Sequence, residues 1–217
     1  MKKEIVLIIV AALLLITPMS ASALNVGAPS KPVDDGGSAL SGSIGFFSVD
    51  VENVDVDSKS FIVKGIFGIS DSASPYLKLG FADISVDTDS FEGNLGFAYG
   101  GGILLELISP GEEEEGLTVS VDTQVLWIGS GGAGNDYKLF EGQLAVLGSL
   151  KSGGTTGYGG FATSFLTLDG GGMSRDESAQ GHLFFGFDYF MDYNYYFNVE
   201  AHLFGENALS AGVGYVF

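Results

Sequence analysis

The chain has 217 residues, with 34 Gly, 17 Phe, 9 Tyr, one Trp and no Cys, and carries 27 Asp and Glu against 9 Lys and Arg. Without Cys there are no disulfides, no thiolate metal sites and no lipid-modified cysteine anchor. A net charge of −18 argues against a nucleic-acid partner, whose phosphates call for a basic surface, and any contact with anionic lipid head groups would need a bridging divalent cation.

Met1 to about Ala23 reads as a secretory signal peptide. Lys2 and Lys3 form its charged start, Ile5–Ile16 its apolar core, and Ala21-Ser22-Ala23 its small-residue cleavage site. Its removal takes away Lys2, Lys3 and Glu4, leaving 7 basic and 26 acidic residues and a net charge of −19. Residues 24–39 contain Pro29, Pro32, Asp34, Asp35, Gly36 and Gly37 without periodicity, and read as a flexible periplasmic lead-in.

From Leu40 to Phe217 the apolar residues fall in short alternating runs, the period of β-strands. Ten runs are predicted, near 40–52, 59–70, 75–86, 93–108, 117–129, 137–151, 157–168, 181–192, 195–204 and 208–217. The breaks between them are built from Gly, Pro, Asn, Asp, Ser and charge, which favour turns. Asp169–Gln180 is the longest predicted extracellular loop. One face of each run is rich in Phe, Tyr, Leu and Val, as with Leu95, Phe97 and Tyr99 or Leu183, Phe185 and Phe187. The opposite face is small and polar, with isolated charges. That inversion suits a barrel whose greasy side faces lipid and whose narrow interior takes small side chains. The fold class expected is therefore all-β, a transmembrane antiparallel up-and-down barrel. Ten strands are favoured, with both ends in the periplasm. Eight is the alternative, because Phe46-Phe47 breaks phase and Gly142 falls on an apolar face.

The final strand carries Leu209, Ala211, Val213, Tyr215 and Phe217 at every second position. With the leader and the Gly- and Phe-rich alternating runs, it resembles the small outer-membrane β-barrels of the OmpA/OmpX/opacity-protein type over about 40–217. The resemblance implies residence in the bacterial outer membrane, contact with its lipid, and recognition of Leu209–Phe217 by the barrel-assembly machinery. Members of such families include anchors, adhesins, small pores and a few lipid-modifying enzymes.

By parity, Lys64, Lys78, Glu106, Asp122, Glu141, Asp188, Glu200 and His202 face the lumen. Buried charges must be paired, so these read first as an interior network of ion pairs and hydrogen bonds. A catalytic reading rests on Glu200 and His202, two residues apart on one strand face. The His-x-Ser of the family's deacylases is absent, however: Leu203 and Phe204 follow His202. Glu112–Glu115 reads as a solvated turn. The Gly-rich stretches lack the Gly-Lys-Ser/Thr ending of a phosphate loop, and no cofactor or metal site is expected. Trp127, Tyr137, Tyr158, Tyr189, Tyr193, Tyr195, Tyr196 and Tyr215 are expected in interfacial girdles. The reading expected from the sequence is a non-enzymatic barrel with a largely side-chain-filled lumen, structural or surface-interacting. The alternatives are a small cation-preferring pore and an envelope lipid-modifying or proteolytic enzyme.

Overall fold

The computed structural model describes residues 33–217 apart from 53, 87–90, 110–115, 133–134, 192–193 and 205. The expected signal peptide, most of the lead-in 24–39, the Glu112–Glu115 run and Tyr193 lie outside the described residues. The strands are β1 Ser38–Asp50, β2 Asp55–Phe67, β3 Ala73–Ala82, β4 Ser85–Val86, β5 Phe91–Glu92, β6 Gly96–Ile108, β7 Leu117–Gly132, β8 Asn135–Ser152, β9 Thr155–Gly170, β10 Met173–Phe190, β11 Tyr195–Leu203 and β12 Glu206–Val216. Each long strand pairs antiparallel with its neighbours, and β1 pairs with both β2 and β12. The result is a closed barrel of ten strands, with β4 and β5 as a short ribbon beside β2. Closure pairs every long strand on both sides, which is what a sheet needs to cross hydrocarbon.

The outer surface shows why these residues prefer lipid. Leu77, Leu79, Phe97, Leu144, Phe161, Phe165, Leu183 and Val213 point outward and are exposed. Near the end that carries both described chain ends (the near end) the belt finishes at Leu117, Leu150, Tyr189, Tyr195 and Phe217. Toward the far end it finishes in an aromatic ladder. Tyr99 stacks on Trp127 at 5.7 Å, Trp127 meets Phe140 at 4.7 Å, and Phe140 meets Phe165 at 5.7 Å. From Leu117 to Trp127 along β7 is roughly 33 Å at the usual rise per residue. Strand tilt reduces that to about 25 Å, the height of an outer-membrane apolar band. Gly142 does fall on this outer face, and the Phe165 ring lies over it: a Cβ there would stand 2.2 Å from the ring.

The far ends of β7, β8, β9 and β10 continue beyond the belt, and there the pattern turns over. Asp136, Lys138 and Asp169 point outward and are exposed, while Tyr137, Leu139, Leu166 and Leu168 point inward. These meet Leu126 and Ile128, and Val49, Val51, Val54, Val56, Ile84 and Val86 from the opposite wall, in one apolar cluster. The far end is thus an apolar cap inside a water-facing wall. Phe47 packs against this cap while Phe46 stays exposed to lipid. The Phe46-Phe47 irregularity is therefore a strand with apolar surroundings on both faces, and the count stays at ten.

Three expectations need correction. The loop expected at Asp169–Gln180 is strand: β9 runs to Gly170, β10 starts at Met173, and only Gly171 and Gly172 turn. Both have positive φ, 58° and 79°, as a tight type I′ hairpin requires. Charges such as Asp169, Arg175 and Asp176 mimicked a loop because they stand on strands above the lipid. Second, the lumen is not uniformly small and polar, because the far cap fills it with Val, Leu and Tyr. Third, Tyr137, Tyr158 and Tyr196 do not belong to the girdles. They are 1%, 5% and 0% exposed, inside the barrel, while Trp127, Tyr189 and Tyr195 do sit on the outer face.

Candidate functional site: the polar belt in the lumen

Below the cap the strands deliver alternate side chains into one buried polar belt. Strand β2 supplies Lys64 and β3 supplies Tyr76 and Lys78. Strand β7 supplies Asp122 and Gln124, β8 supplies Glu141 and Gln143, β10 supplies His182 and Asp188, and β11 supplies Asn198, Glu200 and His202. Lys64 and Lys78 stand directly opposite each other in the β2–β3 ladder. Like charges so placed repel, so they depend on carboxylates brought across the lumen from other walls.

Hydrogen bonds link the belt into two arms. In the first, Tyr76 donates its hydroxyl to Asp122 at 2.8 and 2.9 Å. Lys78 Nζ donates to Gln124 Oε1 at 2.5 Å, and Gln124 Nε2 donates to Gln143 Oε1 at 2.7 Å. Gln143 then reaches His182 Nε2 at 3.4 Å. Lys64 Nζ lies 4.1 Å from the centre of the Tyr76 ring, a cation–π distance. In the second arm, Glu200 accepts from Tyr158 at 2.7 Å and contacts His202 Nε2 at 2.6 Å. Asn198 donates to the Tyr158 oxygen at 2.9 Å and to Asp188 at 2.7 Å. The two histidine rings are 5.1 Å apart, and Phe184 stacks on His202 at 5.3 Å.

Seven of the eight residues expected in the lumen network meet here: Lys64, Lys78, Asp122, Glu141, Asp188, Glu200 and His202, all buried. Glu106 stands apart. It is half-buried at the near end of β6, beside a register shift between Glu106 and Ile108. Tyr76, Gln124, Gln143, Tyr158 and His182 belong to the network as well, beyond the residues expected from the sequence. Each lies an even number of residues from a charged residue on its own strand or opposite a lumen position, so parity would have found them. The C-terminal residues Leu209, Val213 and Phe217 are exposed on the lipid side, and the register Leu209↔Phe46 to Tyr215↔Leu40 shows them closing the barrel on β1.

A second apolar cluster lies against the belt toward the near end. It contains Val33, Ala39, Ile66, Leu104, Ala145, Leu147, Ala162 and Phe184, with Tyr76 and Tyr158 shared between cluster and belt. Along the β12–β1–β2 wall the inward residues are small: Ser41, Ser43, Gly45, Ser60, Ala208, Ser210 and Gly212. They leave a cavity of about 60 Å³ facing Lys64, Lys78, Glu141, Asn198 and His202, room for a few waters. Among the described residues, no group of three His, Cys, Asp or Glu side chains converges on a metal position.

A closed ten-strand barrel with a lipid-facing belt, an apolar far cap and a hydrogen-bonded charged interior is an outer-membrane β-barrel, and the chain resides in the outer membrane. Among solved structures, an outer-membrane channel of Pseudomonas putida F1 has 10% sequence identity and a TM-score of 0.51, covering 89% of this chain and 100% of that one. The transport unit of the autotransporter AIDA-I of Escherichia coli has 12% identity and a TM-score of 0.47, covering 89% and 92%. At such identities the likeness is one of fold. It does not single out the OmpA/OmpX/opacity type. No protein-family model matches the chain, and no curated protein matches it in sequence.

Proposed function

We propose that this chain is a non-conducting outer-membrane barrel whose lumen is filled by its own side chains, with a structural or surface-interaction role and no enzymatic activity. The observation that carries the reading is the interior filling. The far cap joins side chains from β1–β4 and β6–β9, and the belt beneath it is tied by hydrogen bonds that bridge β3 to β7, β8 to β10 and β9 to β11. The strands that rise beyond the lipid belt present a water-facing surface, which supports a surface role. The near end faces the periplasm, and the strand Leu209–Phe217 is the segment offered to the barrel-assembly machinery.

On this reading Glu200 and His202 are structural. Glu200 is occupied by Tyr158 and His202 together, and both Glu200 and His202 are buried. A second reading, a small cation-preferring pore, is favoured by the belt's four carboxylates against two lysines and by the cavity along the β12–β1–β2 wall.

Planar-bilayer recording on protein checked for heat-modifiable gel mobility separates the two. Silent bilayers with correctly folded protein support the filled barrel. Steady cation-selective steps overturn it in favour of the pore. Unchanged lipid A profiles and protease assays on comparing host cells with and without the protein, and on replacing Glu200 and His202 with Ala, support the non-enzymatic assignment; a change traced to these residues overturns it.

A further inference from the structure

The segment before β1 does more than lead in. Asp34–Gly37 forms a turn closed by a hydrogen bond from Gly37 N to Asp34 O at 2.9 Å, with Gly36 at a φ of 73°. A positive φ at the third turn position suits glycine. The turn folds the chain back, and Val33 enters the mouth of the barrel at the near end. There it is 6% exposed and packs with Ile66, Tyr76 and Leu104.

Among the described residues, the segment is hydrogen-bonded to the β2–β3 connection and the start of β3. Val33 N donates to Ser74 Oγ at 2.8 Å, and Ser74 Oγ donates to Val33 O at 3.3 Å. Gly36 N donates to Gly68 O at 3.1 Å, Gly68 N to Gly37 O at 3.0 Å, and Asp35 N to Asp71 Oδ1 at 3.3 Å. The fit at Gly68 is tight, since a Cβ there would stand 2.0 Å from Asp34 O.

We infer that Val33 and its turn form a releasable strap over the periplasmic mouth, controlling access to the Tyr76–Asp122 arm of the belt. The barrel wall is an unbroken ladder around its circumference. The strap hangs on five hydrogen bonds and one apolar side chain, far fewer than hold any wall strand, so it can leave while the barrel stays closed. Behind Val33 lie Leu104 and Tyr76, and the Tyr76 hydroxyl carries Asp122. Release exposes the buried carboxylate arm from the periplasmic side and leaves the far cap in place. The strap is therefore a gate to an inner site and not to a through-going pore, and it holds whether or not the filled-barrel reading survives.

The chain has no Cys, so a single introduced thiol reports cleanly. Leu104→Cys, buried behind Val33, is treated with a charged methanethiosulfonate in protein folded into vesicles. Barrel integrity is read from heat-modifiable mobility in every sample. Two second-site changes displace the strap by different means: G68A by steric clash with the Asp34 carbonyl, and V33D by making the stopper polar. The expected result is at least a tenfold faster modification of the thiol in both, with the folded band retained. Modification of the G68A variant within twofold of its parent overturns the proposal. So does acceleration by V33D alone, because that reports a disturbed apolar cluster and not a displaced strap.

Discussion

Replacing Glu200 with Leu removes the acceptor that joins two donors in the buried belt. The Tyr158 hydroxyl, 2.7 Å from Glu200 Oε2, and His202 Nε2, 2.6 Å from Oε1, both lose this acceptor. Each buried polar group left unsatisfied costs about 1–3 kcal/mol. The two together give roughly 2–6 kcal/mol, in line with the ~3–5 kcal/mol of breaking a buried charged pair. Glu200→Gln keeps one oxygen to accept and turns an amide toward the second donor, so it costs about half as much, ~1–3 kcal/mol. Removing the donors as well, in E200L/Y158F/H202L, recovers a large part of the loss, because apolar groups of similar shape replace Glu200 and both of these donors while Asn198 keeps Asp188. The assay is urea unfolding in lipid vesicles followed by the fluorescence of Trp127, the sole Trp. Equal midpoints for E200L and the parent, or a triple variant weaker than E200L by a further 2 kcal/mol or more, would refute the network as the element that holds this side of the lumen together.

The other predictions use pairs of positions that differ in one respect. Leu139 lies in the far cap and Leu144 faces lipid on the same strand. L139A is expected to cost ~2–5 kcal/mol as a core cavity, and L144A clearly less, in the same urea assay. Leu144→Arg is expected to cost ~2–4 kcal/mol near the middle of the belt. Lys138, exposed above the belt on the same face, tolerates Arg with no change, and equal losses at both positions would contradict the placement of the belt. At Gly80 a Cβ would lie 2.0 Å from the backbone oxygen of Phe61, whereas at Gly65 nothing lies within 4 Å. G80A is expected to lose ~1–3 kcal/mol through overpacking and G65A to be neutral or slightly stabilising, measured by the temperature at which the folded gel band is lost.

The wall of the barrel was legible because one physical rule runs through it. Within the lipid belt outward residues meet hydrocarbon at every second position, so β6, β7, β11 and β12 could be read within a few residues of their ends. The rule fails where its surroundings change. Above the lipid the outward positions of β8 and β9 meet water, and Asp136 and Asp169 have the appearance of a loop while Leu139 and Leu168 turn inward. Tyr137, Tyr158 and Tyr196 were misplaced for the same reason: parity gives a face, and the interior holds aromatics wherever it is not part of the polar belt. The charged members of the belt were legible from parity alone, since a charge on a lumen position has few other places to go. Its pairings were not. Which carboxylate meets which donor depends on the stagger between strands far apart in sequence, as with Tyr76 and Asp122 or Tyr158 and Glu200. Glu106 shows the limit: its face was read correctly, but its position at the strand's end leaves it out of the belt.

The quenching of Trp127 fluorescence by lipids brominated at defined depths, measured on the unmodified protein in vesicles, bears most directly on the arrangement of faces. The indole is 39% exposed, stacked on Tyr99 and tilted against Phe140 on the outer face at the top of the apolar belt. Strong quenching by bromines high on the acyl chain, weak quenching by bromines at the bilayer centre and little quenching by aqueous iodide is the predicted result. Quenching by iodide with none from any brominated lipid would contradict a barrel that turns its Phe, Leu and Trp rows to the membrane.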